Sequence, residues 1–301
     1  MAAGKRFTVG LLISTVIAAA VLLGCASTGR SAELRVVGCD LLGIEFTKAL
    51  YGFSSRQPIG LSVALDGSRA GLDEIRENKA DVALLALPTG NELDRSIYDE
   101  IVLGWFPVLV VVPAVTPIEQ VSFGQLAAVF GANAPLSVHR WGDLGLAGEW
   151  ASRPISAHVS AAGYGLTAEL FRDVVLQGHA LSSRIVRFRA GLEAVLQLSG
   201  ESRGIGLVAV IPPAVTQLKR VAVTRRVGAP AFLPTIENLR TGDYPLALPL
   251  RVVFRRDAMG RIRPLLVFLL GDAVAALLEH AETVPEESSV RLAQARRLEK
   301  R

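Results

Sequence analysis

Few residues in this chain could make or break a bond. Its cysteines are Cys25 and Cys39, and its histidines are His139, His158, His179 and His280. No histidine pair has HxH or HExxH spacing, and there is no CxxC or Cys/His cluster, so neither a metal nor another cofactor is expected. Gly163-Tyr164-Gly165 lacks the serine of a nucleophile elbow. Dispersed triads leave no local signature, but no motif here points to an enzyme. What remains is polar residues beside glycines: Cys39-Asp40 after Gly38, Ser68-Arg69 after Gly67, and Thr167 after Gly163-Tyr164-Gly165. Ser and Thr hydroxyls are neutral donors, and arginine is a charge-assisted fork. Where such a turn opens a helix, the unpaired first-turn amides and the positive helix end favour an anion. That is the chemistry of holding a ligand.

These turns need elements to position them. Leu34 to Gly38 reads as a short apolar strand ending at glycine, followed by a helix from about Leu42 to Phe53. Gly60 to Leu65 reads as strand, then Asp66-Gly67-Ser68-Arg69-Ala70-Gly71 is a turn opening a helix through Asn78. Asp81 to Leu87 is apolar almost throughout, as expected of a strand buried on both faces. Ile101 to Val112 is a long apolar run broken by Gly104 and Pro107, too short and too β-branched to span a membrane. Val121 to Phe130 has helical spacing, Ile155 to Ser160 is strand, and Leu166 to Leu176 is helix. Gly204 to Val208 and Leu250 to Phe254 are buried strands, and Pro264 to His280 is one helix with a broad apolar face. Strands alternating with helices predict an α/β fold. Glu282 to Arg301, with four acidic and five basic residues, reads as a solvated charged tail.

At the N-terminus, Lys5 and Arg6 precede an uncharged, mostly apolar run from Phe7 to Gly24, the layout of a secretory signal. The run ends in Leu22-Leu23-Gly24-Cys25, which resembles the lipobox of bacterial lipoproteins. In that class the cysteine thiol receives a diacylglycerol and becomes the mature N-terminus. The alternative is an uncleaved anchor with an incidental cysteine. The lipobox implies a signal peptide over 1–24, lipidation of Cys25, a tether over 25–33, and a chain held outside the cytoplasm on a membrane face. Cys39 is then a lone thiol, expected to behave as a small buried hydrophobe.

Composition narrows the classes further. The 301 residues are 50% hydrophobic and 20% charged, enough apolar surface to fold a globular chain of one large domain or two lobes. Net charge is +4, and it falls to +2 once Lys5 and Arg6 are removed with the signal segment. No basic block longer than a pair occurs before the tail, so no nucleic-acid partner is expected.

A wider resemblance rests on the order of several motifs. Val37-Gly38-Cys39-Asp40-Leu41-Leu42 resembles the first strand–helix turn of the phosphate-binding proteins of ABC transporters, which reads Gly-Ser-Asp-Thr or similar. Asp66 to Gly71, leading to Ala80-Asp81-Val82-Ala83, is similar to their second glycine–serine turn and its strand. Val121-Ser122-Phe123-Gly124-Gln125-Leu126, Trp141-Gly142-Asp143, Gly163-Tyr164-Gly165-Leu166-Thr167 and Gly204-Ile205-Gly206-Leu207 follow in family order. Thr235-Ile236-Glu237-Asn238 with Gly242-Asp243-Tyr244-Pro245-Leu246 completes the series.

The resemblance implies a type II periplasmic-binding-protein fold, with mixed sheets in two lobes around a central cleft. Lobe 1 would be 34–113 plus 244–285, lobe 2 would be 114–243, and 286–301 would be tail. It implies a monomer that captures phosphate or a related oxyanion and passes it to a membrane permease. The contacts it implies are Gly38, Cys39, Asp40, Ser68, Arg69, His158, Gly163, Tyr164, Gly165 and Thr167. Departures bear on the ligand. Cys39 and Leu41 replace a serine and a threonine at the first turn, while Tyr164 and Leu166 replace another such pair at the third. Arg69 also reads as a solvated first-turn residue, His158 as an ordinary satisfied histidine at a strand end and Thr167 as a first-turn helix residue. A rival reading is therefore a binding-protein-like lipoprotein that has lost transport and serves as a sensor or interaction module.

Overall fold

Apolar runs and glycine turns alternate along the chain, and in the computed structural model they form two mixed sheets covered by helices. Residues 33–87, 93–132, 138–160, 166–188, 191–200 and 203–300 are described. In chain order the first half holds β1 (Leu34–Gly38), α1 (Gly43–Ser54), β2 (Leu61–Ala64), α2 (Ser68–Arg76), β3 (Val82–Ala86), β4 (Tyr98–Pro107), β5 (Leu109–Pro113), β6 (Gln120–Ser122) and α3 (Phe123–Phe130). Then come β7 (Ser156–Ser160), α4 (Leu166–Val174), β8 (Val186–Phe188), α5 (Gly191–Gly200), β9 (Gly204–Val208), β10 (Leu218–Arg220) and β11 (Ala222–Thr224). The chain ends with α6 (Ile236–Thr241), β12 (Ala247–Arg255), α7 (Met259–Leu269), α8 (Asp272–His280), β13 (Val284–Pro285) and α9 (Ser288–Glu299).

The first sheet has the order β13-β4-β12-β3-β1-β2, with β2, β1 and β3 parallel and the other pairings antiparallel. The second has the order β10-β5-β9-β7-β8, with β9, β7 and β8 parallel. Alternation decides which helix covers which face. In the first sheet Val37, Ala83 and Leu85 pack under Leu72 and Ile75 of α2. Val36, Val82 and Leu84 point the other way, into a core shared with α1, α7 and α8. In the second sheet Leu109, Val111 and Val208 lie under Ala194, Val195 and Leu198 of α5. Val110, Ile205 and Leu207 belong to the large core that also takes in Leu34 and Val36, so one apolar body runs through both sheets.

Val108 alone separates β4 from β5, so the chain changes sheets in a single residue. The passage from the first sheet to the second is thus at Val108, because β5 pairs with β9 and β10 of the second sheet. The return runs through Tyr244 to Leu246 before β12. The two passages are bonded: Val108 N–H donates to the Leu246 carbonyl (2.7 Å) and the Tyr244 hydroxyl donates to the Val108 carbonyl (2.6 Å). Burial pushes the Tyr244 phenol up, which keeps it a donor.

Two expectations are corrected. Pro264 to His280 is not one helix: α7 ends at Leu269 and α8 starts at Asp272, with Gly271 extended between them (φ −74°, ψ 159°). The charged C-terminus is not a solvated tail either. It forms α9, fixed by Arg291, which is 6% exposed and donates to the Glu286 carbonyl (2.9 Å), the Leu270 carbonyl (2.9 Å) and Asp272 (2.8 Å). Glu286, also buried, accepts from Arg240 of α6 (2.6 Å). A charged sequence is compatible with burial when each charge meets a partner.

Candidate ligand-binding cleft

The first two glycine turns are built against each other. Gly38 has φ +126°, and a Cβ there would collide with the Leu84 carbonyl. That approach lets the Cys39 amide donate to Leu84 O (2.7 Å), while the Gly67 amide donates to Gly38 O (2.7 Å). Gly67 (φ +125°) opens α2, whose first intrahelical bond runs from the Gly71 amide to Gly67 O (3.0 Å). Gly71 in turn lies so close to Gly38 that a Cβ on it would stand 2.6 Å from the Gly38 Cα. No side chain caps α2, so the Ser68, Arg69 and Ala70 amides stand at its positive end.

Side chains at these turns divide into those already engaged and those free. Ser68 Oγ accepts from the Ala86 amide (3.0 Å) and lies beside the Cys39 sulfur. The Cys39 thiol is fully buried, and burial pushes it up to about 11, against the opposing pull of the Leu41 amide and the Ser68 hydroxyl. It is therefore a neutral thiol. Asp40 and Arg69 are exposed, and Arg69 forms no ion pair or side-chain hydrogen bond among the described residues. The amide of Cys39, one of the expected contacts, is thus spent on holding the turns together, as is that of Gly67.

A pocket adjoins them where the two sheets meet. Leu41, Phe106, Val108, Leu166, Thr167 and Glu282 are among its lining residues, and its free volume is about 10 Å³, room for roughly one water. Leu41 and Leu166, the two leucines at expected hydroxyl positions, therefore face the same space. Thr167, 3% exposed, brings to the pocket from the first turn of α4 a hydroxyl that makes no side-chain hydrogen bond among the described residues. Gly163, Tyr164 and Gly165 lie outside the described residues, as does Cys25. His158 is elsewhere. It sits in the row Val111–Gly206–His158 on the face covered by α5, 1% exposed, with its ring stacked on Phe188 and Nε2 2.8 Å from Ser156 Oγ. Its surroundings are those of an interior histidine.

Sequence reasoning missed Glu282. It follows α8 in the left-handed region (φ +57°) and puts a half-buried carboxyl on an apolar pocket, where burial raises its pKa. No local signal marks it, since the turn and the pocket are both products of the tertiary fold. Among the described residues no group of His, Cys, Asp and Glu could hold a metal ion, and no helix is long and apolar enough to cross a membrane.

No protein-family model matches the chain. It is similar to the phosphate-binding protein PstS of Pseudomonas aeruginosa, 24% identical over 254 residues, covering 79% of this chain and 77% of the relative. Among solved structures it superposes on a possible phosphate binding protein from Planctomyces limnophilus with a TM-score of 0.67 and 19% identity, covering 90% of this chain and 98% of that one. PstS from Borrelia burgdorferi gives a TM-score of 0.65 at 11% identity, over 85% and 99% of the two chains. This is the two-lobed type II periplasmic-binding-protein fold, as in the phosphate-binding proteins. The Gly38 and Ser68 turns adjoin the first sheet, Thr167 opens the helix that follows β7 of the second, and the pocket takes residues from both sides.

Proposed function

We propose that this chain is an extracytoplasmic, lipid-anchored, monomeric substrate-binding protein that captures phosphate or a related oxyanion for an ABC transporter and does no catalysis. One observation carries the reading most: the paired glycine turns leave the positive end of α2 uncapped and the Arg69 guanidinium unpaired, next to the Gly38 turn that leads to Leu41 of the pocket, in a chain similar to a phosphate-binding protein over most of its length. Gly38, Cys39, Asp40, Ser68, Arg69 and Thr167 are the proposed contacts within the described residues, and Gly163, Tyr164 and Gly165 those outside them. His158 is left out, since it lies under α5.

The deciding experiment is calorimetry with phosphate, sulfate and molybdate on the mature chain, repeated on a Cys39→Ser, Leu166→Thr variant. Heat with any of the three anions supports capture. If none binds the wild type and the restored hydroxyls gain nothing, the capture reading fails. The anchor has its own check, an acylated Cys25 in mass spectrometry of the native protein, and recovery of an intact Met1 to Gly24 segment would refute it. A second reading, a sensor or interaction module that has lost transport, is favoured by the apolar pocket that Leu41 and Leu166 share with the Glu282 carboxyl.

A further inference from the structure

A second concavity lies at the opposite end of the second sheet. Strands β7, β8 and β9 run parallel, and the pocket that holds Thr167 takes Ala209, just past the C-terminal end of β9. At their N-terminal ends is a groove of about 270 Å³ whose polar lining is His139, Ser156, Arg184 and Arg203, with Val138 and Ile185 among its apolar residues. Five strand residues at about 3.3 Å each put roughly 16 Å between the two ends.

The charges in this groove are unbalanced. Among the described residues no acidic side chain lines it. Arg184 Nη1 donates to His139 Nδ1 (2.8 Å), a contact in which a ring nitrogen must be the acceptor, so two basic side chains face each other with no carboxylate between them. Arg203 has no ion pair or side-chain hydrogen bond among the described residues. The nearby carboxylate of Asp143 accepts from the His139 and Arg140 amides (2.9 and 3.0 Å) and is engaged there. Several arginines elsewhere find acids: Arg35 with Glu74, Arg240 with Glu286, Arg255 with Asp257, Arg291 with Asp272. Two guanidinium forks over an apolar floor match a phosphoryl or carboxylate head carried on an apolar body.

We propose that this groove is a second anion site, separate from the cleft, in which Arg184 and Arg203 grip a phosphoryl or carboxylate head while Val138 and Ile185 take the apolar part. Soluble organic phosphates and anionic lipid headgroups both carry such a head. The test titrates the full chain with phenyl phosphate, phenol and inorganic phosphate, and measures co-flotation with phosphatidate vesicles, for the wild type, Arg184→Gln/Arg203→Gln and Arg69→Gln. Both groove arginines are exposed, so the double variant should unfold at the wild-type temperature. Phenyl phosphate is expected to bind more tightly than phenol, to lose tenfold or more in the double variant, and to be unaffected by Arg69→Gln, whereas any inorganic phosphate held in the cleft should be unaffected by the double variant. Flotation lost in the double variant would assign the head to lipid, and its absence beside phenyl phosphate binding would assign a soluble ligand. The proposal falls if neither probe binds, if binding survives the double variant, or if Arg69→Gln removes it. The outcome is independent of whether the cleft binds phosphate.

Discussion

The knot of glycine turns and the pocket beside it stand three residues apart in sequence, at Gly38 and Leu41, and answer to different constraints. In the knot, residue identity follows from backbone: Gly38 has no room for a Cβ against Leu84, and Gly71 has none against Gly38. In the pocket, the backbone accepts many residues, and side-chain chemistry alone sets what can enter. The first can therefore persist while the second changes. A chain can keep the turns of an anion-binding fold and still present leucine where a hydroxyl would be needed, which is why fold and ligand have to be tested separately.

The strongest test of that contrast is Gly38→Ala. It combines a left-handed residue with a backbone collision, so a loss of about 3 kcal/mol or more is expected in urea unfolding. An unchanged midpoint would show that the knot is not steric. Next is Arg69→Ala, which should leave stability alone, because the side chain is exposed and unpaired, yet weaken phosphate binding about tenfold or more in calorimetry, the worth of a charge-assisted hydrogen bond. Equal binding by the two proteins would remove Arg69 from the site.

Ser68→Ala should do the reverse of Arg69→Ala. Its oxygen accepts from the Ala86 amide, so the loss appears in stability, about 1 kcal/mol in thermal or urea unfolding, with a smaller effect on binding. A binding defect without a stability defect would reassign Ser68 to the ligand.

The smallest effect concerns Glu282. Its folded-state pKa is raised by burial, so the folded protein holds its proton more tightly than the unfolded chain does. Stability is then fullest below the unfolded value and declines as pH rises through the folded one. Glu282→Gln should raise the unfolding midpoint above wild type at pH 7 and converge with it near pH 4. It should also strengthen anion binding at pH 7, and a wild-type-like pH profile would show that the carboxyl is solvated.

Much of the frame was legible because apolar runs flanked by glycine leave a pattern in sequence. Leu34 to Gly38 and Gly204 to Val208 are strands in the structure as in the reading, and the strand read over Asp81 to Leu87 is β3, Val82–Ala86. The break at Gly271 was not legible, since apolar spacing continues across it and only the cap geometry marks the boundary. Nor was α9, whose place depends on Arg291 reaching carbonyls and an acid on other segments. The site was legible as turns and not as partners. Sequence marks Ser68 as polar, but only the fold shows its oxygen committed to Ala86. It flags Leu41 and Leu166 as departures, but only the fold brings them face to face.

The bonds between the two passages constrain how the halves can travel. With Val108 tied to both Leu246 and Tyr244, the crossings share one short axle, and sliding one sheet along the other would break two buried hydrogen bonds at once. Rocking about that axle breaks neither. The molecule is left with essentially one cheap degree of freedom, like a book bound at its spine, and residues far from Val108 would sweep further than any region nearer the binding.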